Sequence, residues 1–261
     1  ITIKNDDQIR KTNWKVVPCG KCKACRRRRQ QGWCFRLSQE MRRSNTSAFL
    51  TMTYSDENLV YGEEYPTLVK RDLQLFWKRL RKTQAKITND KIKYYAVGEY
   101  GTNTYRPHYH AIVFNISPSL LFDGPITKAW QLGAARVDEC NQASINYVTK
   151  YMMKAPTEPI HGKQQEFSSM SKRLGDNYLT EKMMKFYQEN EYPYIITEGG
   201  RKHTMPRYYK EKIFTEEQLR KFGKEALSQI VPQNLDEKKR FEIYCEQKYL
   251  KQLEYEKRTT I

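Results

Sequence analysis

The chain has 261 residues, enough to fill one sizeable core and carry smaller attachments. Lys and Arg number 47 against 30 Asp and Glu, a net charge of +17, and 13% of the residues are aromatic, 19 of them Tyr. That aromatic content excludes a disordered chain, and no apolar run approaches the ~20 residues that cross a bilayer. No secretory leader is visible, and the first residue is Ile1 rather than Met, so a missing natural start is expected. The positive surplus points to a polyanionic partner, nucleic acid first. Basic and Tyr-rich together suit single strands, whose bases stack on rings while phosphates lie in a basic groove.

Three zones follow one another. Residues 1–46 form a basic, Cys-rich segment, 47–156 the compact domain, and 157–261 an accessory basic and helical region. In the first zone Cys19, Cys22 and Cys25 are two residues apart, and Cys34 follows after eight more. Four close cysteines suit a structural tetrathiolate Zn²⁺ site, although one cysteine serves both short gaps. An iron–sulfur cluster and plain structural thiols are the alternatives. Arg26, Arg27, Arg28 and Arg29 beside them are candidate phosphate contacts, as are Arg106 and Lys154.

In the middle zone 48–54 reads as a strand, rich in β-branched and aromatic residues without Gly or Pro. Leu73, Phe76, Trp77 and Leu80 share one helix face, and Lys78, Arg79, Arg81 and Lys82 take the other. Strands follow at 92–100 and 108–115, around the turn composition Gly101-Thr102-Asn103-Thr104. A short helix is expected at 126–131 and a strand at 134–137. Ile145, Val148 and Met152 then mark a helix that Pro156 stops. The order β-α-β-β-α-β-α predicts an α+β domain, an antiparallel sheet with helices packed on one face.

His108 and His110 flank Tyr109, so in a strand the two imidazoles point to one side, one pleat apart. A hairpin centred between residues 103 and 104 places Glu99 directly opposite His108 on that same side. Two imidazoles and a carboxylate suit Mn²⁺ or Mg²⁺ in phosphoryl transfer, and Zn²⁺ is chemically acceptable too. Two half-exposed histidines on a sheet are the plainer alternative. Tyr147 and Tyr151 are four apart on the last helix, hence neighbours. With Tyr147 at 0°, Tyr151 falls near ~40°, Lys154 near ~−20° and Lys150 near ~−60°, while Ile145, Val148 and Met152 cluster at ~100–160°. Apolar residues seat the helix; phenols and ammonium groups share its other side. Phenols flanked by lysines can attack phosphorus, because the cations favour phenolate and offset phosphate charge. A solvated surface helix is the alternative.

Three blocks together resemble a known pattern. Phe49-Leu50-Thr51-Met52-Thr53-Tyr54 is similar to the first motif of the HUH rolling-circle endonucleases. Pro107-His108-Tyr109-His110-Ala111-Ile112-Val113-Phe114 resembles the second, and Tyr147-Val148-Thr149-Lys150-Tyr151 the third, in its two-tyrosine form. Pro18-Cys19-Gly20-Lys21-Cys22 and Met205-Pro206-Arg207-Tyr208-Tyr209 look like the flanks of replication initiators of small single-stranded-DNA phages of the gokushovirus type. The resemblance implies a five-stranded antiparallel sheet of RNA-recognition-motif type. It implies origin nicking that leaves a tyrosine on the 5′-phosphate and a free 3′-hydroxyl, then religation by strand transfer. His108, His110 and Glu99 would hold the metal, Tyr147 and Tyr151 would be nucleophiles, and Lys150 would accompany them. It also implies a host bacterial cytoplasm, origin DNA as partner, and host helicase and polymerase. The rivals are a single-tyrosine transposase or relaxase, a non-catalytic zinc-stabilised nucleic-acid binder, and a phosphodiesterase with paired His motifs.

In the third zone 174–178 reads as a turn and 198–203 as a basic loop or hairpin. Residues 214–230 and 236–257 read as helices, with Thr215-Glu216-Glu217-Gln218 as a start signal. His161 and His203 lack ligand-like partners, and Cys140 and Cys245 look isolated.

Overall fold

The computed structural model describes residues 2–4, 14–16, 20, 22–153, 162–197 and 200–228. The chain is α+β and divides into two compact units, Trp33–Tyr178 and the remainder, Ile1–Gly32 with Leu179–Ile261. It opens with an antiparallel pair, β1 (Thr2–Lys4) and β2 (Trp14–Val16), before the long helix α1 (Lys23–Arg43).

The unit Trp33–Tyr178 is built on one sheet. Its elements are β3 (Ser47–Thr53), α2 (Lys70–Gln84), β4 (Lys93–Tyr100), β5 (Pro107–Phe114), α3 (Asp123–Trp130), β6 (Ala135–Glu139), α4 (Gln142–Lys150) and β7 (Phe167–Met170). The first seven follow the order β-α-β-β-α-β-α expected from periodicity. The fifth strand, β7, lies in the third zone and pairs with β4. Every pairing in the sheet is antiparallel, in the spatial order β6-β3-β5-β4-β7.

Helices cover both sides of this sheet, not one. On the first side Leu73, Phe76, Trp77 and Leu80 of α2 and Ile126, Ala129 and Trp130 of α3 pack on Leu50, Met52, Ala96, Tyr109 and Val113. On the second, Leu37 of α1 and Ile145 and Val148 of α4 pack on Tyr95, Val97, Ile112 and Phe114. The cause is the central strands: β5 is apolar in both its odd and even positions from Tyr109 onward, apart from His110, so both faces need cover. Glu40 of α1 is buried with an ion pair to Lys93 (2.7 Å) and accepts from the Gly175 amide (2.6 Å), which fastens that half of the helix to β4.

α4 starts with a reciprocal cap, in which the Asn141 side chain accepts from the Ser144 amide and the Ser144 hydroxyl from the Asn141 amide. It ends at Lys150, earlier than Pro156 predicts. Tyr151–Met153 tighten into a 3₁₀ turn, a common way for an α-helix to finish. Gly133, at φ +151, lies against the Thr53 carbonyl and Tyr54 backbone, where a Cβ would sit 2.3 Å from an oxygen, so only Gly fits between β3 and α3's exit.

In the other unit α5 (Glu181–Glu189), β8 (Tyr194–Ile196), β9 (Lys202–Thr204), α6 (Arg207–Ile213) and α7 (Glu216–Ser228) follow in order. β8 and β9 form the expected hairpin. Thr215 caps α7, its hydroxyl accepting from the Gln218 amide at 3.2 Å, as the start signal predicts. The helix expected over 236–257, with Cys245, lies outside the described residues. So does His161.

Candidate active site

The β4–β5 hairpin sets the register. Glu99 pairs with His108, and Val97 pairs with His110, so the carboxylate and both imidazoles share one face, as the hairpin argument requires. Glu99 and His110 are buried and His108 is half-buried. Nε2 of each histidine lies 3.0 Å from the same atom, Oε1 of Glu99. One ligand atom from each residue falls within 4.8 Å of the others, the single such trio of His, Cys or acidic groups among the described residues.

Second contacts fix the rings. His108 Nδ1 faces the Arg106 carbonyl at 3.1 Å; a carbonyl only accepts, so Nδ1 carries the proton and Nε2 is turned to Glu99. Nδ1 of His110 meets the Thr51 hydroxyl at 3.0 Å, and Phe49 stacks on the ring, 5.3 Å between centroids and 12° from parallel. Thr51 is opposite His110 in the β3–β5 ladder. Thr51 and Phe49 are the supporting residues that sequence reading missed. The signal was available: odd positions of the first strand alternate onto the histidine face once the strands are paired.

Both histidine Nε2 atoms therefore point at a single anionic oxygen, an arrangement that calls for positive charge between them. Without a cation, protons supply it. Burial alone would raise the Glu99 carboxyl, but hydrogen bonds from His108 and His110 and their charges outweigh it and hold the pKa near about 2. Burial works against protonated His108, yet its bond to Glu99 raises its pKa above the ordinary value. A divalent cation takes the place of those protons, and one carboxylate with two imidazoles is a donor set that Mn²⁺, Mg²⁺ or Zn²⁺ accepts.

The tyrosine helix delivers its first phenol to the same atom. Tyr147 donates to Glu99 Oε1 at 3.0 Å, and its oxygen is 3.4 Å from His110 Nε2. Phe49 touches the Tyr147 ring edge-on at 6.0 Å. Burial first, then the charge of Glu99 and the hydrogen bond to it, push the Tyr147 phenol up to about 12. Tyr151 stands one layer out: its hydroxyl donates to that of Tyr147 at 3.4 Å. The Lys150 ammonium lies 3.7 Å from the Tyr147 ring centroid and 5.3 Å from that of Tyr151, a cation–π contact with both.

The other predicted residues are more scattered. Arg106 is held by Asp56 (2.6 Å) and the Tyr54 carbonyl (2.7 Å), so it pins the start of β5 to the end of β3. Arg26 to Arg29 fall on α1, where four successive residues sweep a full turn; Arg26 is buried and Arg27, Arg28 and Arg29 are exposed. They are not one strip. Lys154 and Cys19 lie outside the described residues. Cys22, Cys25 and Cys34 do not gather as a ligand trio. Cys25 and Cys34 are nine residues apart on one helix, ~13 Å of rise, too far for one ion. Cys34 instead bonds with the hydroxyl of Thr149 at 3.0 Å, and burial raises its thiol pKa, against the thiolate a zinc site needs.

A family model for replication-associated proteins of the ORF2 type matches residues 47–156, the span that holds Glu99, both histidines and both tyrosines. The chain is 31% identical over 215 residues to "Replication-associated protein ORF2" of Spiroplasma virus 4, covering 76% of this chain and 67% of that protein. This chain belongs to the replication-associated proteins of small phages. Two further relatives in the family are each 26% identical: "Replication-associated protein VP4" of Bdellovibrio phage phiMH2K, over 75% of this chain and 67% of that protein, and "Replication-associated protein ORF4" of Chlamydia phage 1, over 76% and 53%. No solved structure matches. Among the described residues of this replication-associated protein, no helix is long and apolar enough to cross a membrane.

Proposed function

We propose that this replication-associated protein is a metal-dependent tyrosine endonuclease of the HUH type, which nicks and rejoins single-stranded origin DNA in rolling-circle replication. One observation carries the reading: two imidazoles and the Tyr147 phenol converge on one buried carboxylate oxygen. A divalent cation held by Glu99, His108 and His110 would polarise the scissile phosphate and offset its charge. Tyr147 makes the first attack. Its oxygen bonds to phosphorus as the bond from phosphorus to the 3′ oxygen breaks. The phenol proton passes to that departing oxygen, so the products are a 5′-phosphotyrosine and a 3′-hydroxyl primer. No bond energy is lost, and rejoining needs no nucleotide cofactor. Hydrogen bonding to Glu99 aims the Tyr147 oxygen at the ligand cluster. Lys150, against both rings, supplies fixed positive charge beside the attacked phosphate.

Tyr151, next to the first phenol, takes the second transfer while Tyr147 still holds the earlier end. Origin DNA is the direct partner, and the 3′-hydroxyl is handed to host helicase and polymerase in the bacterial cytoplasm.

The test uses 3′-end-labelled, single-stranded oligonucleotides tiled over the phage genome, with Mn²⁺ or EDTA, on a denaturing gel. An SDS-resistant, protein-sized band with Mn²⁺, absent in EDTA and in a Tyr147→Phe/Tyr151→Phe double variant, is the expected result. Strand binding in EDTA with no adduct on any oligonucleotide would leave a non-catalytic binder as the better account.

A further inference from the structure

Beside the site, three segments bring tyrosines around one lysine. Lys163 Nζ lies 4.0 Å from the ring centroid of Tyr65, 4.9 Å from Tyr105 and 5.4 Å from Tyr100. Tyr65 and Tyr105 meet edge to face at 6.3 Å, and they remain 39% and 53% exposed, unusual for rings already in contact. Tyr105 sits in the β4–β5 turn with a left-handed backbone (φ +51°), a conformation that costs energy for a bulky residue and turns its ring out of the hairpin. Tyr100, by contrast, is tied down: its hydroxyl accepts from the Leu68 amide at 3.0 Å and donates to the Gln164 carbonyl at 2.7 Å.

The cluster adjoins the ligand residues along the chain and in space. Tyr100 follows Glu99, and Tyr105 precedes His108 by three residues, at most ~11 Å of chain. Lys163 precedes Glu166 by three, and Glu166 is close enough for its charge to act on His108. A strand whose phosphate lay at the Glu99 cluster would have its neighbouring nucleotides at this rim.

Resting on the endonuclease reading above, we infer that Tyr65 and Tyr105, braced by Lys163 and Tyr100, form a platform on which unpaired bases flanking the cut stack. Exposed phenol faces take any base, because every base has a π-face, and the ammonium between them matches the phosphate backbone. The platform selects for single strands, since bases in a duplex have no free face to offer.

Fluorescence anisotropy with a labelled cut-site oligonucleotide in EDTA tests this without chemistry. Tyr65→Ala/Tyr105→Ala should weaken single-strand binding at least about tenfold, leave duplex binding within about twofold, and keep the wild-type melting temperature. Tyr65→Phe/Tyr105→Phe, which keeps the rings, should bind as the wild type does. Abasic sites beside the cut should weaken wild-type binding and make no further difference to the Ala variant. With Mn²⁺ the loss should appear in KM, not in the rate of the saturated complex. Unchanged single-strand binding in the folded Ala variant, or equal loss on duplex, overturns the platform even if the covalent adduct forms. Ring-dependent single-strand binding without any adduct in the wild type keeps the platform and rejects the endonuclease reading.

Discussion

The two faces of the central sheet use tyrosine in opposite ways. On the face covered by α2 and α3, the Tyr109 hydroxyl is buried and fully engaged, with the Tyr54 hydroxyl at 2.8 Å, the Val69 amide at 2.8 Å and the Val69 carbonyl at 3.0 Å. Tyr54 in turn donates to Asp72 at 2.7 Å, which locks the start of α2 to β3 and β5. On the face covered by α4, the Tyr147 phenol shares a single carboxylate oxygen with two imidazoles. The first network closes on itself and stabilises. The second converges on one anion and leaves a demand for a cation. One strand supplies both, because Tyr109 and His110 are adjacent and alternate sides. Burial of a polar side chain is therefore no guide to its role; what matters is whether its partners are satisfied among themselves.

Matched Tyr→Phe changes on the two faces probe this contrast most strongly. Tyr147→Phe should lower first-strand adduct formation by roughly a thousandfold or more, because the nucleophile is gone, with the melting temperature nearly unchanged. Tyr151→Phe should spare the first cut and block the second transfer, read as loss of circular product. Tyr109→Phe should do the reverse. It strands the buried Val69 amide and should cost about 1–3 kcal/mol in urea unfolding, with adduct yield per folded molecule retained. Equal activity losses at positions 109 and 147 would erase the distinction between the faces. Thr51→Val removes the hydroxyl that orients His110 and should weaken Mn²⁺ binding roughly tenfold by titration, without loss of secondary structure.

The smallest effect is on pH dependence. In metal-free protein the lowered Glu99 pKa stabilises the fold above ~4.3 and is lost as pH falls toward about 2. The raised His108 pKa stabilises below ~6.5 and is lost as pH rises through its folded value. Their joint contribution therefore peaks between ~4.3 and ~6.5, whereas Mn²⁺ affinity should climb with pH as His108 gives up its proton. Parallel pH profiles for metal-free stability and Mn²⁺ affinity would contradict the idea that proton and metal compete for one place.

Much of the site was legible because it rests on short-range rules. Alternation put His108 and His110 on one side, a four-residue turn put Glu99 opposite, and helical spacing put Tyr147 beside Tyr151. The helix α2 was equally plain, since Leu73, Phe76, Trp77 and Leu80 are all buried. Other elements depend on distant partners. α1 carries four consecutive arginines and buries Glu40, which only Lys93 and Gly175 make acceptable, so no apolar stripe announced it. β7, Phe167-Ser168-Ser169-Met170, has little strand propensity and exists because β4 offers it an open edge. Cover on both faces was hidden because periodicity shows which side of a helix is apolar, not which side of the sheet it meets.

The most direct test is Mn²⁺ titration of the full chain, followed by the loss of the free-ion electron paramagnetic resonance signal. One bound Mn²⁺ per chain is expected in the wild type, and Glu99→Gln should weaken it at least about a hundredfold, more than loss of a supporting residue does. Wild-type affinity in a folded Glu99→Gln variant would mean that the convergence on Glu99 is not a metal centre, and the account of this face would fail with it.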